Sequence, residues 1–206
     1  GVNMKNLKLF FIVFILFFVY IFLSAKSYSF FLEEDLSNEI LRLHIVANSN
    51  SAEDQYLKLQ IRDNILTFIS SFYSSNMNKA DVISLLLEKE QKIKEIIQTT
   101  ISKNGYDYSF SFSITNCSFP TKNYGNITLP LGNYDCLTIE LGSSSGENWW
   151  CVMFPPACID SSTAILDTTS AELLNQNLNS ETYNIIQSQR SSYKIKFKIL
   201  EIFNSF

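Results

Sequence analysis

Apolar residues recur with two different periods along this chain, and the change of period marks the predicted elements. Residues 40–47 alternate apolar and polar side chains, as a strand with one buried face does. Apolar residues then recur every three or four positions through residues 54–73 and again through residues 82–101, which predicts two long helices. Ser51 followed by Asp54 is the S-x-x-D form of a capping box, so the first helix is expected to begin there.

The second half of the chain is dominated by the period of two. Residues 108–115 and 137–141 alternate, and residues 149–154 are nearly all apolar, so three strands are expected, the last one ended by two prolines. A polar stretch with short helices follows, and residues 193–199 alternate again. The predicted order is β-α-α-β-β-β-α-β, a single α+β domain with a mostly antiparallel sheet packed against two long helices.

The N-terminus carries an export signal. Lys5 and Lys8 precede fifteen uncharged residues, 9–23, which is the pattern of a cationic region followed by an apolar core. Small residues at positions 25 and 27 would permit cleavage, and the phenylalanine-rich run would also serve as a membrane anchor. The chain therefore divides into a signal peptide or signal anchor (1–27), a stalk (28–39) and one folded domain (40–206), and whether the first segment is cut stays open.

The charge balance excludes one class of partner. The chain has 16 basic and 20 acidic residues and a net charge of −4. Cleavage after residue 27 would remove three lysines and leave 13 basic residues, a net charge of −7. A domain this acidic is a poor ligand for nucleic acid, which is bound through cationic side chains. No nucleic-acid partner is expected, and membrane contact is expected only through the N-terminal segment.

Four cysteines in an exported chain favour disulfides over metal binding. Cys151 and Cys158 flank a turn with two prolines, and this turn can bring their sulfur atoms together. Cys117 and Cys136 end and begin neighbouring predicted strands, so they are a second candidate pair. No C-x-x-C motif occurs and His44 is the one histidine, so neither a metal site nor a cofactor is expected.

His44 and Cys151 would also suit a cysteine hydrolase, in which an imidazole activates a thiolate. Against this, His44 lies beside Arg42 on a predicted strand face, a position typical of a hydrogen-bonded structural histidine. Cys151 lies within a strand rather than at an exposed helix start. We therefore expect no catalytic residues, with a secreted thiol-dependent hydrolase as the alternative.

Trp149 and Trp150 are expected on opposite faces of their strand, so that one joins the core and the other faces outward. An outward tryptophan would suit a protein partner or would stack on a cell-wall glycan, and burial of both rings under helices is the competing interpretation. The Gly/Ser-rich run just before them, residues 143–146, lacks the lysine of a phosphate-binding loop and is predicted to be a flexible hairpin turn.

Three sequence blocks resemble the stage II sporulation protein R family. They are LRLHIVANSNSAEDQYLKLQIRDNIL at residues 41–66, YGNITLPLGNYDCLTIELG at 124–142 and GENWWCVMFPPAC at 146–158. The closing FKILE also looks like the end of that family. Asn50 stands where the family more often has an acidic residue, and Cys117 and Cys136 have no counterpart in its pattern.

The resemblance implies a non-enzymatic role. A protein of this kind is made in the forespore, exported into the space between the two membranes and sensed there by a membrane-embedded aspartic protease of the mother cell, which then cleaves the sigma-E precursor. A cell-wall glycan-binding module is a further alternative. On the signalling interpretation we expect the partner to contact the first helix face and the tryptophan strand, through Asn48, Asp54, Gln55, Lys58, Arg62, Trp149, Trp150, Phe154, Pro155 and Pro156.

Overall fold

The computed structural model describes residues 4–74, 76–124, 127–156 and 168–188. The elements are, in chain order, α1 (Met4–Glu39), β1 (Leu41–Val46), α2 (Ala52–Ser70), α3 (Lys79–Glu88), α4 (Glu90–Lys103), β2 (Phe110–Phe119), β3 (Lys122–Tyr124), β4 (Ile127–Leu129), β5 (Gly132–Leu141), β6 (Asn148–Phe154), α5 (Thr168–Asn177) and α6 (Ser180–Ser188). The predicted closing strand, residues 193–199, lies outside the described residues.

Four strands form the central sheet in the order β2-β5-β1-β6, and β3 pairs with β4 separately. β1 is parallel to β5, whereas β1 with β6 and β2 with β5 are antiparallel. A parallel pair requires a long crossover, and the three helices α2–α4 lie in the connection between β1 and β5. The predicted α+β class with a mostly antiparallel sheet is confirmed.

The central sheet buries side chains on both of its faces, because helices cover one face and a mixed layer covers the other. On the helix face, strand residues such as Leu43 and Ile139 pack with Ile61 of α2 and Ile97 of α4. On the second face, the core combines the end of α1, the β3–β4 pair and helices α5 and α6; its buried members are Leu36, Ile40, Phe119, Tyr124, Ile127, Leu129, Tyr134, Cys136, Val152, Leu174, Leu178 and Ile186.

Helix α1 joins an apolar segment directly to the folded domain. Within the described residues it is the one helix long and apolar enough to cross a membrane, over Leu7–Ser24, and a cleavable signal sequence has the same properties. The predicted stalk, residues 28–39, continues this helix. Its last turn is part of the fold, since Leu36 is 2% exposed.

Local signals predicted the start of α2 but not the shape of the next helix. The Ser51 hydroxyl accepts a hydrogen bond from the Asp54 backbone N–H at 3.1 Å, so the predicted cap is confirmed. The apolar spacing in residues 82–101 predicted one helix, yet the structure has two, with a turn at Lys89 whose N–H bonds to the Leu85 and Leu87 carbonyls. The short β3–β4 pair was not predicted.

Candidate interaction surface

Three chain connections meet at one end of the central sheet, and we call them together the polar tip: residues 47–51, 104–109 and 142–147. The sheet register places them there, because Val46 at the end of β1 pairs with Glu140 near the end of β5 and with Asn148 at the start of β6. Phe110, which begins β2, pairs with Leu141, which ends β5. The polar tip is thus a single surface built from segments far apart in sequence.

The Asp54 carboxylate organises the polar tip. Its two oxygens accept hydrogen bonds from Asn48 Nδ2 at 2.9 Å, Ser49 Oγ at 2.6 Å and Tyr108 Oη at 3.2 Å. Burial by itself would raise the pKa of Asp54, but the hydrogen bonds from Ser49, Asn48 and Tyr108 outweigh it and hold that pKa below its usual value. The carboxylate is therefore ionised at neutral pH and serves the fold, since Asp54 is 5% exposed.

Asn48 ties the first connection to the β5–β6 hairpin. Its side-chain Oδ1 accepts from the Ser143 backbone N–H at 2.9 Å, and its carbonyl oxygen accepts from Ser143 Oγ at 2.8 Å and Ser145 Oγ at 2.7 Å. The Ser145 backbone N–H donates to the same carbonyl at 3.2 Å. The hairpin predicted to be flexible is instead held by hydrogen bonds from residues nearly a hundred positions away.

Two glycines in the β5–β6 hairpin permit its close approach to Asn48 and Ser49. A Cβ atom on Gly142 would lie 2.2 Å from Asn48 Oδ1, and its φ of 54° disfavours other residues as well. A Cβ atom on Gly146 would lie 2.3 Å from the Ser49 carbonyl oxygen. Any side chain at either position would force the two loops apart.

Lys58 and Gln55, two of the predicted contact residues, donate hydrogen bonds from helix α2 to carbonyl groups of the polar tip. Lys58 Nζ donates to Gln55 Oε1 at 2.5 Å and to the Glu147 carbonyl at 2.9 Å, and Gln55 Nε2 donates to the Ser49 carbonyl at 2.8 Å. Burial lowers the pKa of Lys58, which is only 4% exposed. The ammonium group therefore satisfies internal oxygens and leaves little positive charge at the surface.

The two tryptophans lie on opposite faces of β6, as predicted. Trp149 faces the helices and is 6% exposed, with the Arg62 guanidinium carbon 4.1 Å from its ring centroid. Trp150 lies on the second face, half-buried, and stacks on His44 with ring centroids 3.7 Å apart and planes 10° apart. Phe119 contacts Trp150 edge-on at 4.6 Å. Trp149 is therefore buried, and one face of the Trp150 ring is covered by His44.

His44 and Cys151 do not form the dyad that a thiol hydrolase needs. Cys151 pairs with Leu43 and His44 pairs with Trp150, so the two side chains point to opposite faces of the sheet. His44 Nε2 bonds to Asn148 Oδ1 at 2.6 Å, burial lowers the pKa of His44, and Cys151 is buried and in a disulfide. The alternative based on this pair is wrong.

Cys117 and Cys136, the second candidate pair, are free thiols. The register aligns Cys117 with Tyr134 and Thr115 with Cys136, so the two cysteines are diagonal neighbours rather than directly opposed. Burial raises the pKa of Cys136 to about 12. Cys158 lies outside the described residues, so its pairing with Cys151 stays a prediction.

Seven of the ten predicted contact residues fall into two groups at opposite ends of β6, and the other three, Arg62, Trp149 and Trp150, pack as described above. Asn48, Asp54, Gln55 and Lys58 belong to or support the polar tip. Phe154 ends the strand, where it pairs with Leu41, and Pro155 and Pro156 follow it. Six residue steps at ~3.3 Å separate the ends by about 20 Å. Phe154 and Pro155 are buried and Pro156 is half-buried. The structure therefore does not join all ten residues into one surface.

The helix layer also has a concave feature. A groove of about 880 Å³ lies between α2 and α4, and its lining carries both signs of charge, with Asp63 and Glu95 beside Lys92 and Lys103. Among residues 4–74, 76–124, 127–156 and 168–188, no three His, Cys, Asp or Glu side chains are placed to hold a metal ion.

Comparisons with known proteins agree on a family. A family model for Stage II sporulation protein R matches residues 37–164, more than half of the chain. Stage II sporulation protein R of Bacillus subtilis (strain 168) is 38% identical over 123 residues, which are 60% of this chain and 55% of that protein. The match thus spans about half the length of this relative. No solved structure matches. The matched region contains every strand that the structure describes and the whole polar tip, and the chain belongs to the stage II sporulation protein R family.

Proposed function

We propose that this chain is an exported signalling protein of endospore formation. It leaves the forespore, acts in the space between the two membranes and activates a membrane-embedded aspartic protease of the mother cell, which then processes the sigma-E precursor. It is released there or stays tethered by an uncut α1. The observation that carries the proposal is the family match over residues 37–164, which covers the central sheet, its helix layer and the polar tip.

Helix α1 supports the exported location. Its Leu7–Ser24 segment is fully outside the domain core and is suited to a bilayer or to a signal sequence. The domain that follows is acidic and carries a cysteine in a disulfide, Cys151, which suits an oxidising compartment outside the cytoplasm.

The activation needs no bond chemistry by this chain. A ligand shifts a receptor toward its active state by binding that state more tightly, and a shift from 1:99 to 99:1 takes about 5.5 kcal/mol of differential binding. A surface whose loops are already held in place loses little entropy on binding, so more of its contact energy is available for such a shift. The hydrogen-bonded polar tip has this property.

Co-expression tests the proposal. The chain, the cognate membrane protease and the sigma precursor are produced together in a bacterial host that does not sporulate, and precursor processing is followed by immunoblotting. Processing is expected with the complete chain and not with a variant that lacks residues 7–24, which stays in the cytoplasm. A protease whose catalytic aspartate is replaced serves as the control. Equal processing with and without residues 7–24, or none with the complete chain, would refute the proposal.

A further inference from the structure

The end of α1 is fixed to one end of the domain. Glu39 Oε2 and Oε1 accept hydrogen bonds from the Asn179 backbone N–H at 3.2 Å and from its Nδ2 at 2.9 Å. Lys79 Nζ donates to the Ser37 carbonyl at 2.9 Å. Leu36 and Ile40 are 2% and 0% exposed in the second core. The last turn of α1 therefore has one position relative to the sheet.

The polar tip lies at the other end of the sheet. β1 starts two residues after α1 ends and runs for six residues, about 20 Å, to the first connection of the tip. The apolar segment Leu7–Ser24 packs against nothing in the domain, and about 12 helical residues, roughly 18 Å, separate it from Leu36. The end of α1 and the polar tip therefore lie at opposite ends of β1.

The exposed charged groups of the polar tip and of the adjoining first turns of α2 are all acidic. Glu53, Asp107 and Glu147 are exposed carboxylates, and residues 47–57, 104–109 and 142–147 contain no lysine or arginine. Lys103 lies just outside these ranges. The surface is therefore acidic.

Tyr56 adds an apolar side chain to this acidic surface. It lies three residues after Glu53 on the same face of α2, and its side chain is 61% exposed. Tyrosine is among the residues most often found as binding hot spots, because it contributes a large area at low entropy cost.

We infer that the polar tip with Tyr56 is the surface that contacts the receptor, and that the receptor presents a basic surface with an apolar recess for the tyrosine ring. This inference rests on the proposed function and places the contact away from Trp149 and Pro156. Three features carry it: the tip lies at the end of the sheet opposite to the junction with α1, its loops are held by hydrogen bonds and by the two glycines of the hairpin, and its exposed charge is of one sign.

Variants of the complete chain in the co-expression assay test the inference. Tyr56→Ala is expected to lower processing at least about tenfold at equal exported amounts, as loss of a hot spot does. The double variant Glu53→Lys with Glu147→Lys is expected to lower it comparably, because it reverses the charge of the surface. Since all three side chains are exposed, the variants should keep the melting temperature of the unmodified chain.

Matched controls separate a local effect from a general one. Leu131 is 63% exposed and lies next to Gly132 at the opposite end of the sheet, so Leu131→Ala is expected to process normally. Glu172→Lys on α5 is the charge control. Wild-type processing by both tip variants, or an equal loss in Leu131→Ala and Tyr56→Ala, would overturn the inference while the proposed function stands. Absence of processing with the unmodified chain would overturn both.

Discussion

Replacing Asp54 by alanine should destabilise the domain by about 3 kcal/mol. The carboxylate accepts three hydrogen bonds, and a hydrogen bond to a charged group contributes about 1.5–3 kcal/mol. Asn48, Ser49 and Tyr108 are all half-buried, so water can reach them in the variant, and the three contributions are not additive. The total should therefore lie below the simple sum of about 4.5–9 kcal/mol. For a domain of this size the melting temperature should fall by roughly 6–12 °C.

The loss of stability caused by Asp54→Ala should be smaller at low pH than at neutral pH. The pKa of Asp54 is lower in the folded chain than the value of about 3.9 expected in the unfolded chain. The stabilisation is therefore complete above about pH 5 and is lost as the pH falls through the folded pKa. The difference between the unmodified chain and the variant should shrink below about pH 4.

Urea unfolding followed by circular dichroism between pH 7 and pH 3 measures this difference. Glu53→Ala is the matched control, since Glu53 is the neighbouring exposed carboxylate and should change stability by less than about 0.5 kcal/mol. An Asp54→Ala variant within about 0.5 kcal/mol of the unmodified chain at pH 7 would refute the role assigned to the carboxylate. So would a difference that stays constant down to pH 3.

Three further predictions concern other parts of the fold. Gly142→Ala should cost about 2 kcal/mol or more in urea unfolding and exceed Gly105→Ala, because both glycines have positive φ but only Gly142 has a close neighbour; equal costs would contradict this. Arg42→Ala should cost about 3 kcal/mol or more and Arg42→Met less, because both variants lose the 3.1 Å hydrogen bonds to the Cys151 carbonyl and Tyr124 Oη but methionine keeps much of the packing on aromatic rings; the reverse order in the same assay would contradict this. Alkylation with mass spectrometry should find two free thiols in the unfolded unreduced chain, with Cys117 modified before the buried Cys136 in the folded one; four free thiols would contradict the disulfide.

Features with a local cause were predictable from the sequence. Alternation placed β1, β2 and β5, since each has at least one buried face, and a continuous apolar run ended by prolines placed β6. The period of two within a strand also placed Trp149 and Trp150 on opposite faces. The Ser51 cap followed from a three-residue pattern. These features depend on neighbours within one or two turns of chain, so one sequence is enough to predict them.

Features with long-range causes were not predictable. The S-x-x-D pattern predicted the start of α2, but not that the Asp54 carboxylate also accepts a hydrogen bond from Tyr108, 54 residues away. The roles of Gly142 and Ser143 depend on Asn48, whose proximity follows from the parallel pairing of β1 with β5. The Gly-Ser-Ser-Ser-Gly composition was the one sequence signal at this site, and it is equally typical of a flexible turn.

Reconstitution with purified components tests the central claim most directly, namely that the folded chain activates the protease by contact from outside. The cognate protease is inserted into vesicles that enclose the sigma precursor, and the complete chain is added to the outer solution. The account predicts that processing inside begins on addition, saturates as the chain concentration rises and leaves the chain unmodified. No processing at saturating amounts of folded chain would contradict it.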